Sequence, residues 1–407
     1  MRKITLYAFP AFASQLLEFS LVIVEVVSVG HISTSVLGAA TLGSMTANVT
    51  GYGTLLGLTS ALDTVLPSAF KSAQPRLVGL WAQRMSFGLN CIFRRYFQSQ
   101  GLFAVQTQIN LIVAPVNVFL NYLLVWGPET TRLGFIGAPI STSLSHILVS
   151  VISIIYGIHL TPRNTWHPVS IRMFTNLSIL VRLGIAGVGQ TAAEWWAWEL
   201  LALAATFLDP PALASQSILL TSSSITYQAP YALSNAAVIR VGNLLGEKNA
   251  KQVSIAARAS ILIAFIISLI LSLMFLVFKG VWAYMFSDDP EVISLVASVL
   301  PVIALYQIVE GNAAVTSGIL RAKGQQAIGA ALNISGYYLI GLPFGVWLAF
   351  YCNMRLHGLW MGMAVALTYC SVIGSVLCHR TNWDYEIAKV IERMENEDQL
   401  HFSIDRI

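Results

Sequence analysis

The amino-acid sequence predicts an all-α, polytopic membrane protein with about ten transmembrane helices. Of its 407 residues, 56% are apolar and only 10% are charged, and the mean hydropathy is +0.69. Soluble domains usually carry about 25% charged residues, so this composition excludes an ordinary cytosolic enzyme and a disordered chain. The net charge of +4 is small and gives no indication of a nucleic-acid partner.

The predicted helices follow from the length of the apolar stretches, because a bilayer core about 30 Å thick needs about 20 apolar residues per helix. Ten stretches qualify: 6–29, 36–66, 102–126, 136–158, 178–207, 213–240, 260–280, 292–317, 327–351 and 357–378. The segment 381–407 is polar and acidic, and it predicts a short cytoplasmic helix or a frayed tail. The four cysteines have neither metal-ligand nor disulfide-framework spacing, so we interpret them as small buried apolar residues.

The orientation follows from the distribution of Lys and Arg, which favour cytoplasmic segments. With both termini in the cytoplasm, all but three of the 23 Lys and Arg fall on the inner side, including the pair Arg94 and Arg95. The three on the outer side are Arg132, Lys279 and Arg355. We therefore expect a multi-pass protein of the plasma or vacuolar membrane with both ends inside the cell.

The chain contains an internal repeat, which is a sign of a two-lobe architecture. Pro10–Glu18 aligns with Ala186–Glu194 at an offset of 176 residues and pairs Glu18 with Glu194. Further on, Asn110 matches Asn333 at an offset of 223. Parallel repeats of this kind place a substrate cavity between two lobes near the bilayer midplane.

The jump in offset, about 48 residues between Arg84 and Arg94, predicts that the first repeat lacks two helices. The second repeat fills this interval with the stretches 260–280 and 292–317, whereas the first offers only 85–93, which is too short to span a bilayer. We therefore predict an incomplete N-lobe of four helices (1–160), an inter-lobe loop (161–177), a six-helix C-lobe (178–380) and a polar tail (381–407).

Several motifs resemble the multidrug and toxic compound extrusion (MATE) family, and its fungal members most. They are Glu-Trp-Trp-Ala-Trp-Glu (194–199), Arg-Val-Gly-Asn-Leu-Leu-Gly (240–246), Glu-Gly (310–311), Gly-Ile-Leu-Arg (318–321), Tyr-Tyr-Leu-Ile-Gly-Leu-Pro (337–343) and Leu-Asp-Thr (62–64). The resemblance implies a twelve-helix pattern, here minus two, in a two-lobe bundle. It also implies an antiporter that exchanges protons, or Na⁺ in some bacterial members, for organic cations or other small toxic compounds.

Acidic residues inside membrane helices are the candidate coupling sites, because a buried charge is costly and marks function by default. The predicted proton or cation coupling residues are Glu194, Glu310, Glu199, Glu25 and Glu18. The resemblance implies that Glu194 and Glu310 face a C-lobe cavity. Glu199 lies about 140° around the helix from Glu194, so a helix–helix hydrogen bond is its alternative role. No Lys or Arg is expected mid-helix to neutralise these acids, and Asp63 is predicted to be solvated or paired with an Arg.

Aromatic and amide side chains near these acids are candidates for the substrate cavity, namely Trp195, Trp198, Tyr306 and Gln307. Aromatic faces attract organic cations, but packing between helices is an equally good interpretation of these residues. Asn110, Asn117 and Asn121 are predicted to form hydrogen bonds between helices.

Together these features predict a secondary active antiporter that exports small organic compounds, cationic or amphipathic, in exchange for protons. The Gly-rich run 240–246 lacks the phosphate-loop pattern and is predicted to end a helix, so no nucleotide, nucleic acid or other cofactor is expected. The proton gradient drives transport, with Na⁺ as the alternative ion. We expect a monomer, not an enzyme, whose partners are the substrate and the bilayer. Two alternatives are a lipid or lipid-linked sugar flippase on a related fold and a truncated paralogue that does not transport.

Overall fold

The chain folds into a bundle of helices, and no strand occurs among the residues described, which confirms the predicted all-α fold class. The computed structural model describes residues 2–30, 47–72, 74–83, 89–162, 165, 171–175 and 177–404. Its helices are α1 Arg2–Gly30, α2 Gly53–Thr59, α3 Ala61–Phe70, α4 Leu77–Gln83, α5 Leu89–Ser99, α6 Phe103–Trp126, α7 Gly134–His159, α8 Ser178–Ala205, α9 Pro210–Gly246, α10 Ala250–Phe278, α11 Pro290–Ala322, α12 Gln326–Tyr351, α13 Arg355–His379 and α14 Trp383–Ile404.

Six of the described helices, α6, α7 and α10 to α13, are long and apolar enough to cross a membrane. They coincide with six of the ten predicted stretches. Three further stretches coincide with α1, α8 and α9, which have 29, 28 and 37 residues. α9 ends at Gly246, as the Gly-rich run predicted.

The stretch predicted as one helix over 36–66 differs from the structure. Residues 31–46 lie outside the described part of the chain, and the remainder is a π-helical turn (Asn48–Tyr52) followed by α2 and α3. At the end of α2, the hydroxyls of Thr59 and Ser60 bond to carbonyls of the preceding turn. Hydroxyl groups that bond to the local backbone compete with the helical pattern in this way.

Two equivalent contacts in the two halves agree with the predicted repeat. The amide of Asn110 on α6 donates to the backbone oxygen of Ser14 on α1 over 3.3 Å. The amide of Asn333 on α12 donates to the backbone oxygen of Gln190 on α8 over 2.8 Å. Ser14 and Gln190 are separated by the same 176 residues as Glu18 and Glu194. α1 therefore corresponds to α8, and α6 to α12.

The other predicted asparagine bonds are partly as expected. Asn117 donates to Ser145 of α7, which is a bond between helices, whereas Asn121 donates within α6. Of the cysteines, Cys352 is exposed, contrary to the prediction, because it lies just past the end of α12; the other three are buried.

The halves meet where small residues allow backbones to approach closely. A Cβ atom on Gly57 of α2 would lie 2.4 Å from the Cα atom of Val188 on α8, and one on Gly246 would lie 2.2 Å from the carbonyl oxygen of Ser68. α3 also packs against α9 and α11. Small residues at membrane helix contacts permit this distance, so one end of the bundle is closed between the halves.

The segment preceding α6 corrects the predicted inner loop. Arg94 and Arg95 lie on α5, and both are buried against neighbouring helices rather than in solvent. Since 89–99 is too short to span a bilayer alone, hydropathy gave no indication that it packs inside the bundle. The polar tail forms α14, whose buried residues Trp383, Ile387, Val390 and Met394 recur at helical spacing and contribute to the core.

Candidate carboxylate cavity of the second lobe

Two carboxylates line a small cavity, about 20 Å³ in volume, between α8, α11, α12 and α13. Its polar lining consists of two carboxylates, two amides and four hydroxyl or thiol groups: Glu194, Glu310, Gln190, Asn333, Thr316, Ser317, Tyr337 and Cys370. The described lining residues include no Lys, Arg or His. The lining of the cavity is therefore acidic.

Glu310 and Glu194 are brought together by facing turns of α11 and α8. Glu310 is only 4% exposed, and its carboxylate accepts a hydrogen bond of 2.7 Å from the amide of Gln307, one turn earlier on α11. Glu194 is half-buried and lines the same cavity. Two carboxylates in one water-poor site favour the uptake of a proton or another cation.

The positions of these acids are determined by close packing of α11. A Cβ atom on Gly311 would lie 2.1 Å from the hydroxyl of Ser268 on α10, and one on Gly318 would lie 2.4 Å from the hydroxyl of Ser234 on α9. α11 thus lies against both neighbours on the face opposite the cavity. Glycine at these two positions holds Glu310 inside the bundle.

Gln190 connects the cavity on α8 to α11 through a hydrogen bond. Its amide nitrogen donates to the hydroxyl of Ser317 over 2.6 Å, whereas its amide oxygen is buried with no hydrogen-bond partner in the described structure. Nearly all buried polar atoms have a partner, so an acceptor of this kind beside two carboxylates suits a ligand that donates hydrogen bonds or carries positive charge.

The four predicted substrate-cavity residues do not line this cavity. Trp198 and Tyr306 pack with Trp360, with ring centroids 5.7 to 6.2 Å apart, and the hydroxyl of Tyr306 bonds to Ser223. Trp195 lies 5.7 Å from the ring of Tyr52.

Gln307 is buried, and its oxygen accepts from Thr226 while its nitrogen reaches Glu310. Gln307 therefore contacts Glu310 but does not line the carboxylate cavity. Glu199 is half-buried on α8 and also lies outside the cavity lining.

Glu18, the repeat equivalent of Glu194, forms an ion pair with Arg94 of α5. The expectation that no Arg or Lys neutralises the helix acids is therefore wrong, because the cation comes from the short segment that hydropathy assigned to a loop. Glu25 lies on α1, but its side chain falls outside the described residues.

Asp63 is paired with arginines, as predicted, and the pairing joins the two halves. Its carboxylate accepts from Arg95 over 2.7 Å and from Arg321 of α11 over 3.2 Å. Arg321 also donates to Ser317, the partner of Gln190. A continuous inter-lobe network, defined as Gln190, Ser317, Arg321, Asp63 and Arg95, thus runs from the cavity to the closed end of the bundle.

Thr64 and Gln326 reinforce the same junction. The hydroxyl of Thr64 donates to the backbone oxygen of Arg321 over 2.5 Å, and the amide of Gln326 donates to Thr64 over 2.8 Å. None of these partners was predicted from the sequence.

Comparison with known proteins assigns the chain to a family. The MatE family model matches residues 188–347, which contain both cavity acids. An uncharacterized transporter of Schizosaccharomyces pombe is 33% identical to this chain, and the match covers 93% of this chain and 79% of the relative. Multidrug and toxin extrusion protein 2 of Mus musculus is 29% identical, and the match covers 92% of this chain and 73% of the relative. The alignment with the S. pombe protein spans 426 positions, more than the 407 of this chain, so it includes residues with no counterpart here.

The fold agrees with this assignment. The crystal structure of the eukaryotic MATE transporter AtDTX14 superposes with a TM-score of 0.90 at 26% identity, covering 96% of this chain and 98% of that one. The chain is therefore a member of the multidrug and toxic compound extrusion (MATE) family of membrane transporters.

Proposed function

We propose that this transporter exports small organic compounds, cationic or amphipathic, in exchange for protons. The observation that carries the proposal is the shared cavity of Glu194 and Glu310, whose described lining contains no basic residue. A carboxylate in such a site binds either a proton or a cation, and this competition is what an antiporter needs. The name of the mouse relative, a multidrug and toxin extrusion protein, supports the class of substrate.

The proposed cycle uses the cavity acids as the exchange point. An organic cation is attracted by Glu194 and Glu310 and by the free amide oxygen of Gln190. Protonation of the carboxylates removes their charge and releases the cation. Transport also requires that the two states differ in lobe arrangement, and the inter-lobe network offers the connection, because Gln190 is linked through Ser317 to Arg321 and Asp63.

The closed end of the bundle is proposed to face the cytoplasm. It contains the C-terminal ends of α3, α9 and α11, which the Lys and Arg distribution assigns to the inner side. The described structure would then represent a state in which the cavity is sealed from the cytoplasm.

The other coupling candidates are ranked by their partners. Glu18 is weaker than Glu194 because Arg94 already neutralises it. Glu199 lies outside the cavity lining, and Glu25 keeps its predicted role without a contact to support it. A flippase would need a basic cavity for phosphate groups, so the acidic lining argues against that alternative.

Proteoliposomes with an acid interior test the proposal directly. A fluorescent organic cation should accumulate inside as protons leave, and Glu194→Gln or Glu310→Gln should each reduce the initial rate at least about tenfold, which corresponds to about 1.4 kcal/mol. Glu199→Gln is the matched control on the same helix and should retain more than half of the rate.

Two results would contradict the proposal. One is unchanged exchange in both cavity variants. The other is cation binding without any proton-coupled flux in the unmodified chain, which would favour the non-transporting alternative and give weight to the residues missing relative to the S. pombe protein.

A further inference from the structure

A second concave site lies away from the carboxylate cavity, in a groove between the first turns of α10 and the last turns of α13. The groove has a volume of about 400 Å³ and shares no lining residue with the carboxylate cavity. α10 contributes Arg258 and Ile261, α13 contributes Val376 and His379, and Arg380 and Trp383 close one end. Because α10 begins at Ala250 and α13 ends at His379, the groove lies where the apolar helices leave the bilayer.

The basic side chains of this groove have no partner in the described structure. Arg258 and Arg380 are both exposed, and neither forms an ion pair or a side-chain hydrogen bond there. The lining residues include no acid among those described, and Glu386 on α14 already accepts from Gln325 and pairs with Lys389. The groove is therefore basic, and no acid among its described lining residues offsets that charge.

The walls of the groove are apolar on the side that enters the membrane. Ile261, about one turn deeper than Arg258 on α10, and Val376 on α13 line the groove, and Val372, one turn deeper on α13, is 54% exposed. A site with cations at the membrane boundary and an apolar surface leading into the bilayer fits an amphiphile with an anionic head. A free phosphate or an acidic peptide would use the cations and leave these walls without a partner.

We propose that this groove binds an anionic phospholipid, with the phosphodiester between Arg258 and Arg380 and an acyl chain along α10 and α13. Basic pockets between membrane helices on the cytoplasmic side bind such head groups, and the predicted orientation places this boundary in the cytoplasm. Trp383, which is almost fully buried, anchors α14 at the edge of the groove. The bound lipid would thus contact the two helices and the start of the tail. This site is independent of the proposed transport chemistry.

Native mass spectrometry of the full chain in detergent, after removal of lipid, tests this site. Phosphatidylglycerol should bind at least about tenfold more tightly than phosphatidylcholine. Arg258→Gln with Arg380→Gln should weaken phosphatidylglycerol binding roughly 30-fold, or ~2 kcal/mol, from about 1 kcal/mol per cation near a charged lipid. Lys3→Gln with Lys251→Gln, two exposed lysines outside the groove, is the control with the same change in charge and should alter binding less than about threefold.

Two further measurements distinguish lipid binding from misfolding and from the binding of a free anion. Arg258→Lys with Arg380→Lys keeps the charge and should retain affinity within about threefold, which excludes misfolding as the cause of a loss. Millimolar glycerol phosphate should not displace the lipid. Equal losses in the groove and control variants, equal binding of phosphatidylcholine, or displacement by glycerol phosphate would each overturn the proposal.

Discussion

Replacing Asp63 tests whether the inter-lobe network holds the two halves together. Asp63 is 5% exposed and pairs with two arginines, the buried Arg95 at 2.7 Å and the half-buried Arg321 at 3.2 Å. Asp63→Asn would remove the counter-charge of the buried Arg95 and of the half-buried Arg321. Removing one partner of a buried ion pair costs about 3–5 kcal/mol, so we expect a loss in this range, toward its upper end.

The coupling between the halves can be isolated by a double-mutant cycle. Arg321→Gln alone leaves Asp63 paired with Arg95, so it should cost about 1.5–3 kcal/mol, the range for a hydrogen bond to a charged group. The double variant should be less destabilised than the sum of the two single variants by about 0.5–3 kcal/mol. Asp384→Asn, which changes an exposed acid on α14, should stay within about 0.5 kcal/mol.

Equilibrium unfolding in mixed micelles with increasing SDS, followed by tryptophan fluorescence, measures these differences. The reasoning is refuted if Asp63→Asn is no more destabilising than Asp384→Asn, or if the effects of Asp63→Asn and Arg321→Gln simply add.

Two other variants probe the packing between helices and a buried lysine. Gly187→Ala places a Cβ atom 2.0 Å from the hydroxyl of Ser60 and 2.3 Å from the carbonyl oxygen of Gly57. It should therefore lower the free energy of unfolding by about 1–3 kcal/mol, measured in the same assay. Gly280 has open space around it, so the control Gly280→Ala should leave this free energy nearly unchanged. Burial lowers the pKa of Lys323 below its ordinary value. Between the lowered pKa and the ordinary value of about 10.4, the unfolded chain binds more protons than the folded one, so stability should rise with pH through that window. Lys323→Met should abolish this rise in unfolding midpoints, and an unchanged pH profile would contradict the assignment.

The fold was largely predictable because membrane helices follow from length and hydropathy alone. α6, α7 and α10 to α13 agree with the predicted stretches, and the repeat pair Asn110 and Asn333 occupies equivalent contacts. The predictable part of the site is Glu194 with Glu310, because an acid in an apolar helix is costly and therefore informative.

The sequence did not predict which side chains contact one another between helices. Arg94 and Arg95 sit on a helix too short to register as membrane-embedded, so nothing in local hydropathy indicates that they neutralise Glu18 and Asp63. Tyr306 is a similar case, because an aromatic beside an acid suggests a cavity wall, whereas its contact with Trp360 becomes visible only when α11 and α13 are packed. The offset jump between Arg84 and Arg94 remains a prediction about missing helices, which sequencing the transcript across this interval would test.

The most direct test of the central claim is the number of protons released when a cation binds. Calorimetric titration of the purified protein with tetraphenylphosphonium near pH 7, in buffers of different ionisation enthalpy, gives this number without requiring transport. If Glu194 and Glu310 bind either a proton or a cation, each bound cation should release on the order of one proton, and Glu194→Gln with Glu310→Gln should eliminate the release. Cation binding with no proton release, or release that persists in the double variant, would contradict the account.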